Sequence, residues 1–182
     1  SVVGDIFHHV QLYIGARDNQ GFDRAYVVTA DSVEHTLSRP SPKALSQALV
    51  TNYLMRPDER FIPLAHQQAF IKALSASPDE GKAKGRIGVD FGSVGLCHVA
   101  AGFSDAMIEF AKGFAIWDLS PGHYILHAAG GIVIDLLGNQ IPLDYRLDSL
   151  ANITGAMNKR QKFIAAADAT LCLLYTSDAA DD

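Results

Sequence analysis

The chain has almost no cysteine: two in 182 residues, Cys97 and Cys172. That is too few for a disulfide framework. It has no apolar run long enough to span a bilayer. It has no charged-then-apolar leader, so nothing in it marks a secreted protein. It has no basic surplus: 15 Lys and Arg stand against 20 Asp and Glu, a formal net charge of −5. A protein built mainly to bind nucleic acid would show a basic stripe instead. It also lacks an initiator Met, opening on Ser1-Val2-Val3-Gly4. What remains is 48% hydrophobic and 19% charged, a globular composition with enough apolar sequence for one sizeable core.

The last eleven residues, CLLYTSDAADD, are similar to a translated sequencing-library adapter. Residues 172–182 are therefore set aside as a non-native tail. Without them three acids and no bases are lost, and the net charge moves from −5 to −2. The segment left reads as an internal piece of a longer protein.

Residues 7–14 (FHHVQLYI) and 24–29 (RAYVVT) read as two strands of a hairpin, joined by a polar turn with Gly21. His8 and His9 would be ordinary polar strand residues. The two prolines in 38–42 mark a loop. Residues 48–54 fit strand or helix equally. Residues 64–76 have helical apolar spacing. The polar stretch 77–84 marks the expected boundary between a first part, 1–76, and a second, 85–171. Strand and helix patterns then alternate: strand 86–90, helix 93–101, strand 105–110, helix 117–129, strand 132–135 and strand 163–167. That alternation predicts an α/β layer structure.

The most informative stretch is 116–138, IWDLSPGHYILHAAGGIVIDLLG. Asp118 is expected at or near a helix start, facing orphan backbone N–H groups and the positive end of the helix dipole. Pro121 is expected in the first turn, where its missing N–H matters little. Small residues, Gly122 among them, would let the helix lie close to a neighbour. A carboxylate fixed there is well placed to hold a hard cation such as Mg²⁺, which takes one or two carboxylates plus phosphate oxygens and water. It is equally a residue type preferred for plain helix capping.

This stretch resembles the second signature of the inositol monophosphatase family, W-D-x-A-[AP]-G, then [EA]-A-G-G, an apolar strand ending in Asp, and Gly. Trp117, Asp118, Gly122, Ala129, Gly130, Gly131, Asp135 and Gly138 fall in register. On either side, Gly92-Ser93-Val94-Gly95, Asp105-Ala106 and residues 163–167 extend the likeness. The resemblance implies a layered α/β/α/β/α sandwich, cut at its N-terminal side. It implies Mg²⁺-dependent hydrolysis of a small phosphate monoester. It makes Asp118 a metal ligand and Gly92 and Ser93 substrate contacts. Glu109 stands at the spacing of an acid that meets a substrate hydroxyl, although two extra residues separate it from Trp117. Lys112 is the alternative there, as a cation on the substrate side.

The family's first metal signature, D-P-[IL]-D-G-[TS], does not occur in this chain and would lie just before Ser1. The piece alone is therefore expected to be inactive and poorly stable. A 3′(2′),5′-bisphosphate nucleotidase and a non-catalytic binding relative stay open. A homodimer and a cytoplasmic location, without nucleic-acid or membrane partners, complete the expectation. A third reading places zinc on His123 and His127, which share a helix face. It lacks the Glu of H-E-x-x-H. Phe91 stands where G-x-S-x-G needs its first Gly, which argues against a serine hydrolase. Cys97 is expected as a small core residue.

Overall fold

A computed structural model describes residues 1–5, 11–38, 43–53, 56–76, 84–169 and 171. His8, His9, most of the 38–42 and 77–84 loops, and the tail 172–182 lie outside the described residues.

Strands β1 (Val2–Asp5), β2 (Gln11–Arg17), β3 (Asp23–Val28) and β4 (Glu34–Thr36) form an antiparallel meander. The expected hairpin is β2–β3. It closes at Asp18, whose carboxylate accepts from the amides of Gln20 and Phe22. Along β1 to β3, Val3, Tyr13 and Ala25 are buried on one face, while Val2 and Leu12 stay exposed on the other. That is the period-two pattern of a half-covered sheet.

A second sheet has the order β6-β5-β7-β9-β8. Its strands are β5 (Leu49–Asn52), β6 (Arg86–Val89), β7 (Ala106–Phe114), β8 (Ile132–Ile134) and β9 (Gln161–Ala166). Within the ambiguous 48–54 segment residues 49–52 are thus strand, while Leu54 lies outside the described residues. This strand lies parallel to both neighbours and is interior to the sheet and largely buried, as a doubly covered parallel strand should be. The expected division at 77–84 does not coincide with the division between sheets, because β5 comes from the 1–76 part.

Helices α3 (Gly92–Ala101) and α4 (Ile116–Ala128) pack together between the two sheets. Leu96, Val99, Leu119, Ile125 and Phe163 fill that core. The far face of the second sheet is covered by α1 (Phe61–Ala65) and α2 (Gln68–Ser75). The single helix expected over 64–76 is in fact two, broken at His66-Gln67. The described residues supply four of the five layers. Helix α5 (Leu150–Asn158) buries no side chain and was not expected from the sequence. Its start is capped by the Ser149 hydroxyl, which accepts from the Asn152 amide.

Candidate active site

Two helix starts converge. Gly92 opens α3 with φ +47, a left-handed conformation that glycine adopts without strain. It sits beside Asp118: a Cβ at Gly92 would meet Oδ1 at 3.8 Å. The amides of Gly92, Ser93 and Val94 are first-turn donors without acceptors inside their helix, a natural anion cradle.

On α4 the residue at the cap is Ala115, which offers no side-chain hydrogen bond. Asp118 is the third helical residue, so the capping role considered above does not hold. Among the described residues nothing donates a hydrogen bond to its carboxylate. Burial raises its pKa; Arg160 and Arg60 oppose that rise without cancelling it. Pro121 lies deeper than expected, the sixth residue of α4, beyond the first turn. There a missing N–H interrupts the helical ladder. The Ser93 hydroxyl stitches this region, donating to the Asp118 carbonyl at 2.6 Å and accepting from the Gly122 amide at 3.3 Å. Gly122 permits the approach: a Cβ there would fall 2.6 Å from the Ser93 carbonyl oxygen.

Asp118, Gly92 and Ser93 line a cavity of about 440 Å³ with Tyr53, Arg60, Lys112 and others. Glu109 does not line it. It is fully buried, and its Oε2 accepts from Arg60 Nε at 2.7 Å. Its Oε1 accepts from the amides of Ala111, Lys112 and Gly113. Pairing of β7 with β9 jumps from Glu109↔Phe163 to Phe114↔Gln161, a bulge wrapped round the Glu109 carboxylate. Glu109 reaches the cavity through Arg60, whose guanidinium also lies over the Tyr53 ring at 4.6 Å.

The two helical histidines separate. His123 is buried and bonds through Nδ1 to the Tyr145 hydroxyl at 2.6 Å. Burial, and then the nearby His127, lower its pKa to about 4. His127 instead faces Asp23 at 3.7 Å. The described residues contain no group of three His, Cys, Asp or Glu able to hold a metal among themselves, so a zinc site has no third ligand there. Cys97 is buried and free.

Arg56, Arg60 and Arg160 also line the cavity and were missed in the sequence. Arg60 pairs across 49 positions, which no local pattern reveals. Arg160 sits in a K-R-Q-K run that reads as a plain solvated link.

Residues 7–171 match the model of the inositol monophosphatase family. The chain belongs to that family. It is 41% identical over 145 residues to inositol monophosphatase 2 of Rattus norvegicus, covering 76% of this chain and 43% of that protein. It is 37% identical over 65 residues to a bifunctional NADP phosphatase/NAD kinase of Methanococcus maripaludis, covering 35% of this chain and 12% of that one. Among solved structures, Mycobacterium tuberculosis SuhB superposes with a TM-score of 0.57 at 20% identity, over 93% of this chain and 54% of that chain. Inositol monophosphatase-II of Staphylococcus aureus superposes at 0.54 and 13% identity, over 91% and 59%. The chain thus spans less than half the length of these curated relatives. No helix among the described residues is long and apolar enough to cross a membrane.

Proposed function

We propose that the protein of which this chain is part hydrolyses small phosphate monoesters with Mg²⁺, and that Asp118 is one of the metal's ligands. The observation that carries this reading is the uncommitted, half-buried Asp118 carboxylate facing the cavity across from the N-terminus of α3. A carboxylate held partly out of water with no hydrogen-bond donor fits a hard cation, and Mg²⁺ needs only one or two such ligands beside phosphate and water. When bound, the metal supplies Lewis-acid polarisation of the phosphate and a more acidic water.

The chain's own residues do the rest. The amides of Gly92, Ser93 and Val94 orient the phosphate oxygens. The Ser93 hydroxyl, committed to the Asp118 carbonyl, holds the two helix starts in register, so Ser93 contacts substrate through its backbone. Glu109 fixes the direction of Arg60, and Arg60 adds positive charge at the phosphate end. Cys97, a buried free thiol, accords with the cytoplasmic location expected from the sequence.

The test is phosphate release by the whole source protein from a panel of small phosphate monoesters, inositol 1-phosphate and adenosine 3′,5′-bisphosphate among them, each with Mg²⁺ and with chelator. Release that needs Mg²⁺ supports the proposal. Release that is indifferent to chelator, or absent, overturns it. A non-catalytic relative would bind the ester without turning it over.

A further inference from the structure

A second cavity, of about 250 Å³, adjoins the first. Among the described residues Phe114 is the one that lines both. Its floor is Phe114, Leu119 and Ile141, all buried, with Ile116 from the start of α4. Tyr145 and Ala156 of α5 line it too. The Tyr145 hydroxyl is spent on His123, so Tyr145 offers the pocket a ring. Helix α5 buries no side chain, and Leu150 and Met157 stay exposed. An apolar ligand here gives α5 a packing partner that the chain does not supply. The volume exceeds the ~150 Å³ of an apolar cavity that takes benzene. It falls short of a drug-sized pocket of ~300–1,000 Å³. A single ring with a short chain suits it.

The rim is positive. Arg146 and Lys159 stand there against one acid, Asp144. Neither cation enters an ion pair among the described residues. The Asp144 carboxylate accepts from the Arg146 amide at 2.9 Å. That bond braces Arg146 at φ +51, a left-handed backbone uncommon outside glycine, so a fixed turn presents the guanidinium. Lys159 caps the C-terminal end of α5, where part of its charge offsets the helix dipole. Arg146 is therefore the main anchor and Lys159 the second. A singly charged anion neutralises this rim; a phosphate dianion overshoots it.

We propose that this pocket is an effector site for a small apolar carboxylate, its body among Phe114, Leu119 and Tyr145 and its carboxylate on Arg146 and Lys159. The carboxylate takes charge-assisted hydrogen bonds, bidentate on Arg146. Ile116 and Leu119 line this pocket, and Asp118 between them lines the first cavity. Occupancy therefore acts on the first turn of α4, on which Trp117 and Asp118 stand. The site holds whether or not Asp118 binds a metal.

The test is calorimetric titration of the full chain with 3-phenylpropionate and with its neutral amide, 3-phenylpropionamide. Emission of Trp117, the one tryptophan of the chain, is followed in parallel. The acid binds with a Kd of about 1 mM or tighter, within reach of an efficient ligand of that size. It binds about tenfold tighter than the amide or more, the fold-change of one charge-assisted hydrogen bond. Arg146→Asn, which keeps a residue tolerant of the left-handed turn, brings that ratio to within about twofold of one. Lys159→Gln lowers it less. Both side chains are exposed, so the fold is kept. Ala156→Leu fills the pocket and removes binding of both probes. Trp117 emission shifts with the calorimetric midpoint. Equal affinity for acid and amide overturns the proposal, as does no binding at millimolar probe. Affinity that survives both Arg146→Asn and Ala156→Leu places the probe elsewhere and overturns it too. Binding that leaves Trp117 unmoved overturns the action on α4. Binding to the chain that vanishes in the whole source protein shows the pocket covered there by the rest of the protein, and refutes an effector site.

Discussion

Glu109→Gln separates a structural carboxylate from a substrate contact. The carboxylate is wholly buried, with one oxygen on Arg60 and the other on three backbone amides. The amide is nearly the same size, so packing is kept. Its carbonyl can keep the three N–H groups, but its NH₂ then faces Arg60 Nε at 2.7 Å, donor against donor. Arg60 is only 7% exposed, so its charge cannot turn to water. Removing one partner of a buried pair costs about 3–5 kcal/mol. Glu59, 3.8 Å from Arg60, and the Tyr53 ring hold the loss at about 3 kcal/mol, the lower end of that range. For a domain of this size that is about 6–12 °C in Tm. Urea and thermal unfolding followed by circular dichroism read it, with an unchanged denaturant slope showing that stability alone has moved. A loss under about 1 kcal/mol refutes the reasoning. If Glu109 were instead a direct substrate contact, stability would stay and ligand affinity alone would fall.

Gly122→Val drives a side chain into the Ser93 carbonyl and Leu96. Overpacking of this kind costs about 1–3 kcal/mol, and calorimetry should show Tm falling by about 2–12 °C together with weaker phosphate binding, since α3 and α4 are pushed apart at the site. His98 lies between Asp90 at 2.8 Å and Asp5 at 3.3 Å. Burial works against its charged form, but the hydrogen bonds and charges of Asp90 and Asp5 prevail and raise its pKa. Its contribution to stability is therefore full below the unfolded value of about 6.5 and is lost as pH rises through the folded value. Unfolding midpoints measured from pH 5 to 9 should fall across that window, and His98→Gln should flatten the fall; an equal slope in both proteins excludes His98 as its source.

Much of the second half was legible because its signals are local. The strand and helix patterns from 86 to 135 fall within a few residues of β6, α3, β7, α4 and β8. The small residues of α4 and its Gly130-Gly131 stop are readable from composition alone. The short strands β1 and β4 were not, because each exists only by pairing with a neighbour in the meander. The break at His66-Gln67 was invisible too, since the apolar spacing runs through it. At the site, Asp118, Gly92 and Ser93 were found by motif and come together in the structure. The hydroxyl of Ser93 and the carboxylate of Glu109 proved to be spent on internal bonds. That depends on a bulge and on an arginine 49 positions away, which only tertiary structure brings together.

The role proposed for Asp118 is to hold the metal of a phosphatase. It is tested most directly by titrating Mg²⁺ into the whole source protein and its Asp118→Asn variant while measuring phosphate release. A much higher Mg²⁺ requirement and a rate lower by about a hundredfold or more are expected in the variant, since metal polarisation provides several kcal/mol of transition-state stabilisation. An unchanged Mg²⁺ dependence and rate in the variant would contradict it and leave Asp118 a first-turn helix residue with no part in the chemistry.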